Sequence, residues 1–167
     1  MIMAQFHYRL QLLLERKEEA QKEAERELKR REQELEKQIA ELQSLQRREK
    51  ELIEKRDRLR RELMTRPEDG SELTAHEVRA RSEYIKAVGV EIDDARKDIV
   101  VQRGVIENCE RKVQEAKKSV EEAKREVEVL TKHRTKQQER FLREEQAKED
   151  LELDEIGNVL YTTRRQT

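Results

Sequence analysis

The stretch that decides the fold runs from Ile85 to Leu130 and reads IKAVGVEIDDARKDIVVQRGVIENCERKVQEAKKSVEEAKREVEVL. Apolar residues recur in it at alternating spacings of three and four, the heptad pattern whose a and d positions face a partner helix. Only one of these positions, Gln102, is polar. The pattern therefore predicts a long helix that buries one narrow stripe against another helix. The a positions hold Ile85, Ile92, Ile99, Ile106, Val113, Val120 and Val127, and the d positions hold Val88, Ala95, Gln102, Cys109, Ala116, Ala123 and Leu130.

The composition favours paired helices over a globular core. Of the 167 residues, 46% are charged, 34% are hydrophobic and 3% are aromatic, and the chain has one proline and four glycines. So few aromatic side chains cannot fill a wide core, whereas two paired helices need only a thin apolar seam. Disordered chains share the low hydrophobicity, but they lack this periodicity. The predicted fold class is all-α.

The segment before the seam predicts a second, weaker helix, because polar residues interrupt its leucine stripe. A break follows, where Pro67 blocks helix continuation and Gly70 favours a turn. Thr74 and Glu77 then fit a capping box that starts a new helix. The stripe of the first helix holds Leu10, Leu14, Ala24, Leu28, Leu35, Leu42, Leu45, Leu52, Leu59 and Leu63, and the interrupting residues are Lys17, Gln21, Arg31, Gln38, Glu49 and Arg56.

These signals predict a long antiparallel two-helix coiled-coil hairpin. We expect a single elongated hairpin over residues 1–167, with a first helix over about 4–65, a turn over 66–73 and a second helix over about 74–161.

The second helix is expected to outrun the first. Folding the chain about Gly70 places Leu10, the first seam leucine, opposite Leu130, the last residue of the second seam. The residues after Leu130 then form a C-terminal helical overhang of roughly 30 residues, or about 45 Å at the helical rise. A mainly basic part of this overhang is followed by a mainly acidic part, and the large apolar residues Phe141 and Leu151 lie within this charged stretch. Such a helix is a candidate partner-binding element, and the alternative is a solvated tail.

The sequence carries no pattern typical of an enzyme. It has no glycine-rich phosphate loop and no CxxC pair, and His7, His76 and His133 are scattered. The single cysteine, Cys109, occupies a seam position, so we expect a small core residue rather than a nucleophile. We therefore predict no catalytic residue, no cofactor and no metal site.

The charge balance is also uninformative about a nucleic acid or membrane partner. The formal net charge is −1, from 38 basic and 39 acidic residues, and no long apolar run is present. A clear bias to nucleic acid would require a concentrated basic face. We expect a cytoplasmic protein with no nucleic-acid partner and no membrane insertion.

Three stretches together resemble one known family. They are Phe6-His7-Tyr8-Arg9-Leu10, then Tyr84-Ile85-Lys86-Ala87-Val88, and finally Glu145-Gln146 followed by Asp150-Leu151-Glu152-Leu153-Asp154-Glu155-Ile156. In this order and at these positions they resemble the central stalk family of bacterial type III export machines. That family includes flagellar FliJ and its injectisome relatives of the YscO and SctO type.

The resemblance implies a non-catalytic stalk and regulator built as an antiparallel coiled coil. Members of the family insert the end that carries both termini into the ring of the export ATPase hexamer and promote its assembly and activity. They contact the cytoplasmic domain of the export gate, a membrane protein, and some recycle export chaperones. The protein would then lie at the base of the export apparatus, peripheral to the membrane.

The resemblance also implies binding residues. Carried over by position, Tyr84 and Val88 are the predicted gate contacts. The first helix departs from the flagellar pattern, because its facing positions hold Ile53, Arg56 and Arg60 rather than tyrosines. The opening and the acidic close nevertheless favour a flagellar over an injectisome system. On the overhang, the predicted ATPase-binding residues are Phe141, Leu142, Leu151, Asp154, Glu155 and Ile156.

Two other functions remain open at this point. A generic coiled-coil scaffold is favoured if two chains pair in parallel through the seam from Ile85 to Leu130. An export chaperone or chaperone escort is favoured if the helix ends offer enough exposed apolar surface to hold clients.

Overall fold

The computed structural model describes residues 5–165 and shows an all-α chain. Helix α1 covers Gln11–Glu62 and helix α2 covers Ala75–Arg165, and no β-strand occurs among the described residues. The prediction of an all-α chain built from two long helices is confirmed.

The predicted seam of α2 is the apolar core of the chain. Every a and d position from Ile85 to Leu130 is buried or half-buried, and Val88 and Ile92 retain only 0% and 1% of their accessible surface. On α1, Leu14 and Leu52 are buried, and the polar residues that interrupt its stripe are all half-buried. The aliphatic parts of those polar side chains therefore help to cover the seam.

Contacts within the chain divide it into two units. One is Glu27–Lys117, and the other combines Met1–Arg26 with Lys118–Thr167. Each unit contains a segment of α1 and a segment of α2, and in each unit the paired segments run antiparallel. A single elongated hairpin over residues 1–167 stays a prediction.

In the unit Glu27–Lys117, polar contacts set the register of the two helices. The Nε2 group of Gln102 donates hydrogen bonds to the backbone oxygen of Gln38 at 3.0 Å and to its Oε1 atom at 2.7 Å. Arg96 Nε lies 2.9 Å from Glu49 Oε1. Opposite residue numbers add to about 140, as expected for antiparallel folding about Gly70. The only polar seam position of α2 is thus satisfied by an interrupting residue of α1.

The turn between the helices uses the residues that the sequence indicates. Gly70 has a φ of +75°, a conformation that favours glycine, and its N–H donates to the Pro67 oxygen at 3.1 Å. The Ser71 N–H donates to Asp69 Oδ1 at 3.0 Å. These local bonds close the turn.

The predicted capping box spans the start of α2, because Thr74 precedes its first residue and Glu77 lies in its first turn. The Glu77 N–H donates to Thr74 Oγ1 at 3.2 Å, and the Thr74 N–H and hydroxyl each donate to Glu77 Oε2 at 2.8 Å. These bonds from the Thr74 backbone and side chain hold the pKa of the Glu77 carboxyl below its usual value. The stability that the Glu77 carboxylate contributes is therefore fully present above its pKa in the unfolded state. It is lost as the pH falls through the lower pKa of the folded state.

A further contact at the turn was not predicted. Arg81 Nη1 donates to the backbone oxygens of Glu62 at 3.0 Å, Leu63 at 3.3 Å and Thr65 at 2.9 Å. Carbonyl groups at the end of a helix have no partner within that helix. One side chain of α2 therefore caps the end of α1.

In the other unit, the chain enters α1 through a non-helical segment. Residues 5–10 are not helical, so α1 begins at Gln11 rather than near Ala4, which itself lies outside the described residues. Tyr8 is buried against α2, and Phe6 also contacts α2. Side chains two residues apart face one side of an extended chain but diverge in a helix. Docking of both aromatic rings on α2 therefore requires the segment to leave the helix.

The N-terminal segment contacts α2 beyond Leu130. Phe6 packs against Phe141 with 5.7 Å between ring centroids. The overhang expected to start after Leu130 is therefore covered over its first turns. Among the described residues, all those from Gln146 to Thr162 are exposed.

Replacement of a buried seam residue tests the assignment of the core. Ile92→Ala is expected to lower the free energy of unfolding by about 2–4 kcal/mol, because the lost methyl groups leave a cavity. Urea denaturation followed by circular dichroism measures this loss. The control Val100→Ala, at a side chain that is 67% exposed, is expected to change it by less than about 0.5 kcal/mol. Equal losses in both variants would contradict the assignment.

Removal of the cap from α2 tests the role of Arg81. Arg81→Ala is expected to lower the free energy of unfolding by about 1 kcal/mol, because three carbonyl oxygens lose a donor. Amide hydrogen exchange should accelerate at the end of α1 and in the residues just after it, where those carbonyls lie. Arg79→Ala, at an exposed neighbouring arginine, is the matched control. Unchanged exchange in Arg81→Ala would show that the cap does not hold the helix end.

Candidate functional site: two candidate partner-binding surfaces

The C-terminal part of α2 exposes most of the predicted ATPase-binding residues. Leu142, Leu151 and Ile156 are each more than half exposed, and Asp154 and Glu155 are exposed beside them. Single exposed apolar side chains are common on protein surfaces, whereas a contiguous apolar surface is typical of a binding site.

Three further apolar residues enlarge this surface. Leu153, Val159 and Leu160 are each more than 60% exposed. Leu153, Ile156 and Leu160 follow the spacing i, i+3 and i+7, so they form one stripe along the helix, and Val159 adjoins it. We name Leu153, Ile156, Val159 and Leu160 the C-terminal stripe. A shallow groove of about 380 Å³ runs along it and is lined by Glu152, Glu155, Ile156, Val159 and Leu160.

Sequence reasoning missed most of the C-terminal stripe. Continuing the seam frame past Leu130 leads to Phe141 and Leu151, whereas the exposed stripe lies on a different face of the helix. The spacing of Leu153, Ile156 and Leu160 was the available signal.

Phe141 differs from the other predicted ATPase-binding residues, because it is half-buried. Its ring packs against Phe6 at an interplanar angle of 52°, a tilted arrangement that aromatic pairs favour. Phe141 therefore helps to hold the N-terminal segment on α2.

Tyr8 anchors the same segment with a polar contact. Its hydroxyl donates to the backbone oxygen of Leu130 at 3.2 Å and lies 2.9 Å from His133 Nδ1. Which atom donates in the contact between Tyr8 and His133 depends on the tautomer of the imidazole ring. The two rings also stack at an angle, with centroids 5.6 Å apart. The opening motif thus has a structural role that the sequence did not reveal.

The second candidate surface lies beside the turn, in the unit Glu27–Lys117, where Tyr84 is 48% exposed. The Lys55 ammonium lies 5.2 Å from the centroid of the Tyr84 ring, within the range of a cation–π contact. Contact with the Tyr84 side chain raises the pKa of Lys55. A half-exposed tyrosine steadied by a lysine is a suitable anchor for a protein partner.

The structure places the second predicted gate residue in the core. Val88 has 0% exposed surface and clusters with Leu52, Ile92 and Ala95. A side chain without exposed surface cannot contact a partner while this packing is intact, because its seam position directs it toward α1. Its role in gate binding stays a prediction and is restricted to supporting the helix face below Tyr84.

The residues of α1 that face Tyr84 and Val88 also differ in their exposure. Ile53 packs against the Val88 cluster, and Arg56 is half-buried with its Nη2 atom 3.3 Å from Asp57 Oδ1. Arg60 is exposed. Beside Tyr84 lies a cavity of about 410 Å³, lined by Leu59, Glu62, Thr65, Arg66, Pro67, Glu68, Arg81, Tyr84 and Ile85.

Within residues 5–165, no group of histidine, cysteine, aspartate and glutamate side chains is placed to hold a metal ion. Cys109 is a buried free thiol in the seam. None of the helices described combines the length and the apolar content that crossing a bilayer requires.

Comparisons with known proteins support the resemblance. The family model of YscO-like proteins matches residues 5–167. The fold is similar to that of CT670 from Chlamydia trachomatis, described as a "putative YscO homolog", with a TM-score of 0.76 and 21% sequence identity. That match covers 98% of this chain and 99% of CT670. A comparison with curated proteins gave no match.

The family match spans nearly the whole chain, so the predicted resemblance to the type III export stalk family is confirmed. The chain belongs to the YscO-like family and is a protein associated with type III secretion.

Proposed function

We propose that this chain is the non-catalytic central stalk of a type III export ATPase, which promotes assembly and activity of the ATPase ring and links it to the export gate. The observation that carries the proposal is the C-terminal stripe. It is an exposed apolar surface on a helix of a protein whose family is associated with type III secretion.

The chemistry of the C-terminal stripe defines the partner surface that it fits. Burial of each large apolar side chain on binding would contribute about 1.5–3 kcal/mol. Glu152 and Glu155 line the groove beside Ile156, so the matching surface on the ATPase is apolar with basic residues at its rim. Salt is expected to weaken the charged part of this contact and to leave the apolar part intact.

The predicted ATPase-binding residues then take separate roles. Leu142, Leu151 and Ile156 offer apolar contacts, and Asp154 and Glu155 offer charged ones. Phe141 acts indirectly, since its contact with Phe6 holds the N-terminal segment against α2.

The surface around Tyr84 is the proposed contact with the cytoplasmic domain of the export gate. Lys55 restricts the orientation of the Tyr84 ring, which lowers the entropy lost when a partner binds. Val88 supports this face from within the core.

The remaining parts of the proposal follow from the family. The chain would act in the cytoplasm at the base of the export apparatus, and export chaperones are a third class of proposed partner. Assignment to a flagellar rather than an injectisome system rests on the opening and closing motifs and stays a prediction.

Charges placed in the C-terminal stripe test the ATPase contact. The double variant Ile156→Asp, Leu160→Asp is expected to reduce stimulation of the export ATPase at least about tenfold, because carboxylates replace apolar anchors. Turnover and hexamer population are measured with flagellar and with injectisome ATPases from the same organism. The more strongly stimulated ATPase identifies the system.

Two controls make this result specific. Val100→Asp, Val129→Asp places the same charges at two exposed valines outside the stripe and should leave stimulation unchanged. Truncation after Glu145 keeps the contacts of Phe6 and Tyr8 and should abolish stimulation. If the truncated chain stimulates normally, the stripe is not the ATPase contact; if the full chain stimulates neither ATPase, a scaffold role is favoured.

Replacement of Tyr84 tests the gate contact. Tyr84→Ala is expected to raise the Kd for the cytoplasmic domain of the gate protein about tenfold, because the aromatic anchor is lost. Lys86→Ala, at an exposed neighbouring residue, should leave the Kd unchanged. Val88→Ala should lower the free energy of unfolding without changing the Kd at low temperature. Binding is measured by calorimetry, and an unchanged Kd in Tyr84→Ala would place the gate contact elsewhere.

A further inference from the structure

A second heptad stripe runs along the face of α2 that points away from α1 in the unit Glu27–Lys117. In the frame of the seam its residues occupy the f positions, which lie opposite the seam, and the adjoining c positions. All of them are exposed. We name this set the outer stripe, and it consists of Glu83, Ala87, Val90, Asp94, Lys97, Val101, Gly104 and Asn108.

The apolar members of the outer stripe have no role in the packing of the hairpin. Val90 and Val101 are 60% and 67% exposed, and valine is a weaker helix former than the charged residues common elsewhere on this helix. A Cβ atom built on Gly104 would meet no atom within 4 Å. Glycine costs a helix about 1 kcal/mol relative to alanine, and the internal packing does not require it here.

The outer stripe is also self-complementary when its direction is reversed. When two copies of the stripe are laid antiparallel and centred between Ala95 and Arg96, Val90 of one copy lies opposite Val101 of the other. Apolar residues then face apolar residues. The same reversal exchanges Asp94 with Lys97, so opposite charges coincide.

The outer pairs of the stripe match equally well. Reversal exchanges Ala87 with Gly104, two small residues that permit close approach of helix backbones. At the ends it exchanges Glu83 with Asn108, a carboxylate with an amide that can donate to it.

We propose that a second copy of this chain packs antiparallel on the outer stripe and forms a two-fold symmetric dimer. In such a dimer each Val90 contacts Val101 of the partner copy, and the same patch serves both chains, as closed two-fold symmetry demands. A parallel copy would place Asp94 against Asp94 and Lys97 against Lys97, and like charges facing each other disfavour that pairing.

The charged centre of the stripe mainly sets direction. Within one chain Lys97 Nζ lies 3.1 Å from Asp94 Oδ1, and both side chains are exposed. In the dimer, the negative Asp94 and positive Lys97 side chains of the two copies would alternate around the two-fold axis. Exposed ion pairs contribute little affinity, so the valines and the close approach at Gly104 supply most of the attraction.

The first test is the solution mass of the full chain by sedimentation equilibrium. At about 100 μM a dimer of micromolar affinity is almost fully associated, so we expect the mass of two chains. Val101→Glu is expected to raise the dimer Kd at least about a hundredfold, because the two-fold axis introduces the charge twice. Val129→Glu, at a valine of similar exposure outside the stripe, should leave the dimer intact. The mass of one chain, or a dimer unaffected by Val101→Glu, would overturn the proposal.

The second test fixes the direction of the two chains by disulfide cross-linking. In a Cys109→Ala background, which removes the native thiol, the double variant Val90→Cys, Val101→Cys should cross-link into a covalent dimer on mild oxidation. The single variant Val101→Cys should not, because two copies of position 101 would lie about 16 Å apart along antiparallel helices. Efficient cross-linking of the single variant would indicate a parallel pair and refute the antiparallel dimer.

Discussion

The structure depends on the burial of one narrow apolar stripe along α2. Its a positions are β-branched and most of its d positions are small, so the stripe is covered by one closely packed helix. Complete burial of a side chain such as Ile92 stabilises the fold by about 1.5–3 kcal/mol, and the seam repeats such contacts from Ile85 to Leu130. The paired glutamines Gln38 and Gln102 add little stability by comparison, but they penalise any shift of register because a shifted pair would bury unsatisfied amides.

The elements that could be predicted from the sequence are those fixed by local patterns. The seam follows from heptad spacing, the turn from Pro67 and Gly70, and the start of α2 from Thr74 and Glu77. The elements that could not be predicted depend on tertiary contacts. Residues 5–10 leave the helix because Phe6 and Tyr8 both dock on α2, and Arg81 caps a helix end that is distant in sequence. Neither contact leaves a periodic trace in the sequence.

The candidate surfaces were predictable in part, for a related reason. Of the two predicted gate contacts, Tyr84 is half-exposed beside the turn, whereas Val88 occupies a d position of the seam and is buried. On the C-terminal part of α2, the seam frame led to Phe141 and Leu151 and overlooked Leu160. The heptad frame of the seam describes only the pairing of α2 with α1. It therefore does not predict which face of α2 is apolar where α1 no longer covers it.

The three stretches that resemble the stalk family differ in what the fold alone explains. In the first, Phe6 and Tyr8 pack on α2, and in the second, Val88 lies in the core. Packing therefore accounts for Phe6, Tyr8 and Val88. The third stretch, which ends at Ile156, is helical and exposed from Gln146 onward, so the packing of the chain does not account for its leucines and isoleucine. Exposed apolar side chains of this kind are stabilised only when another surface covers them. This difference makes the third stretch the strongest candidate for the proposed contact with an export ATPase.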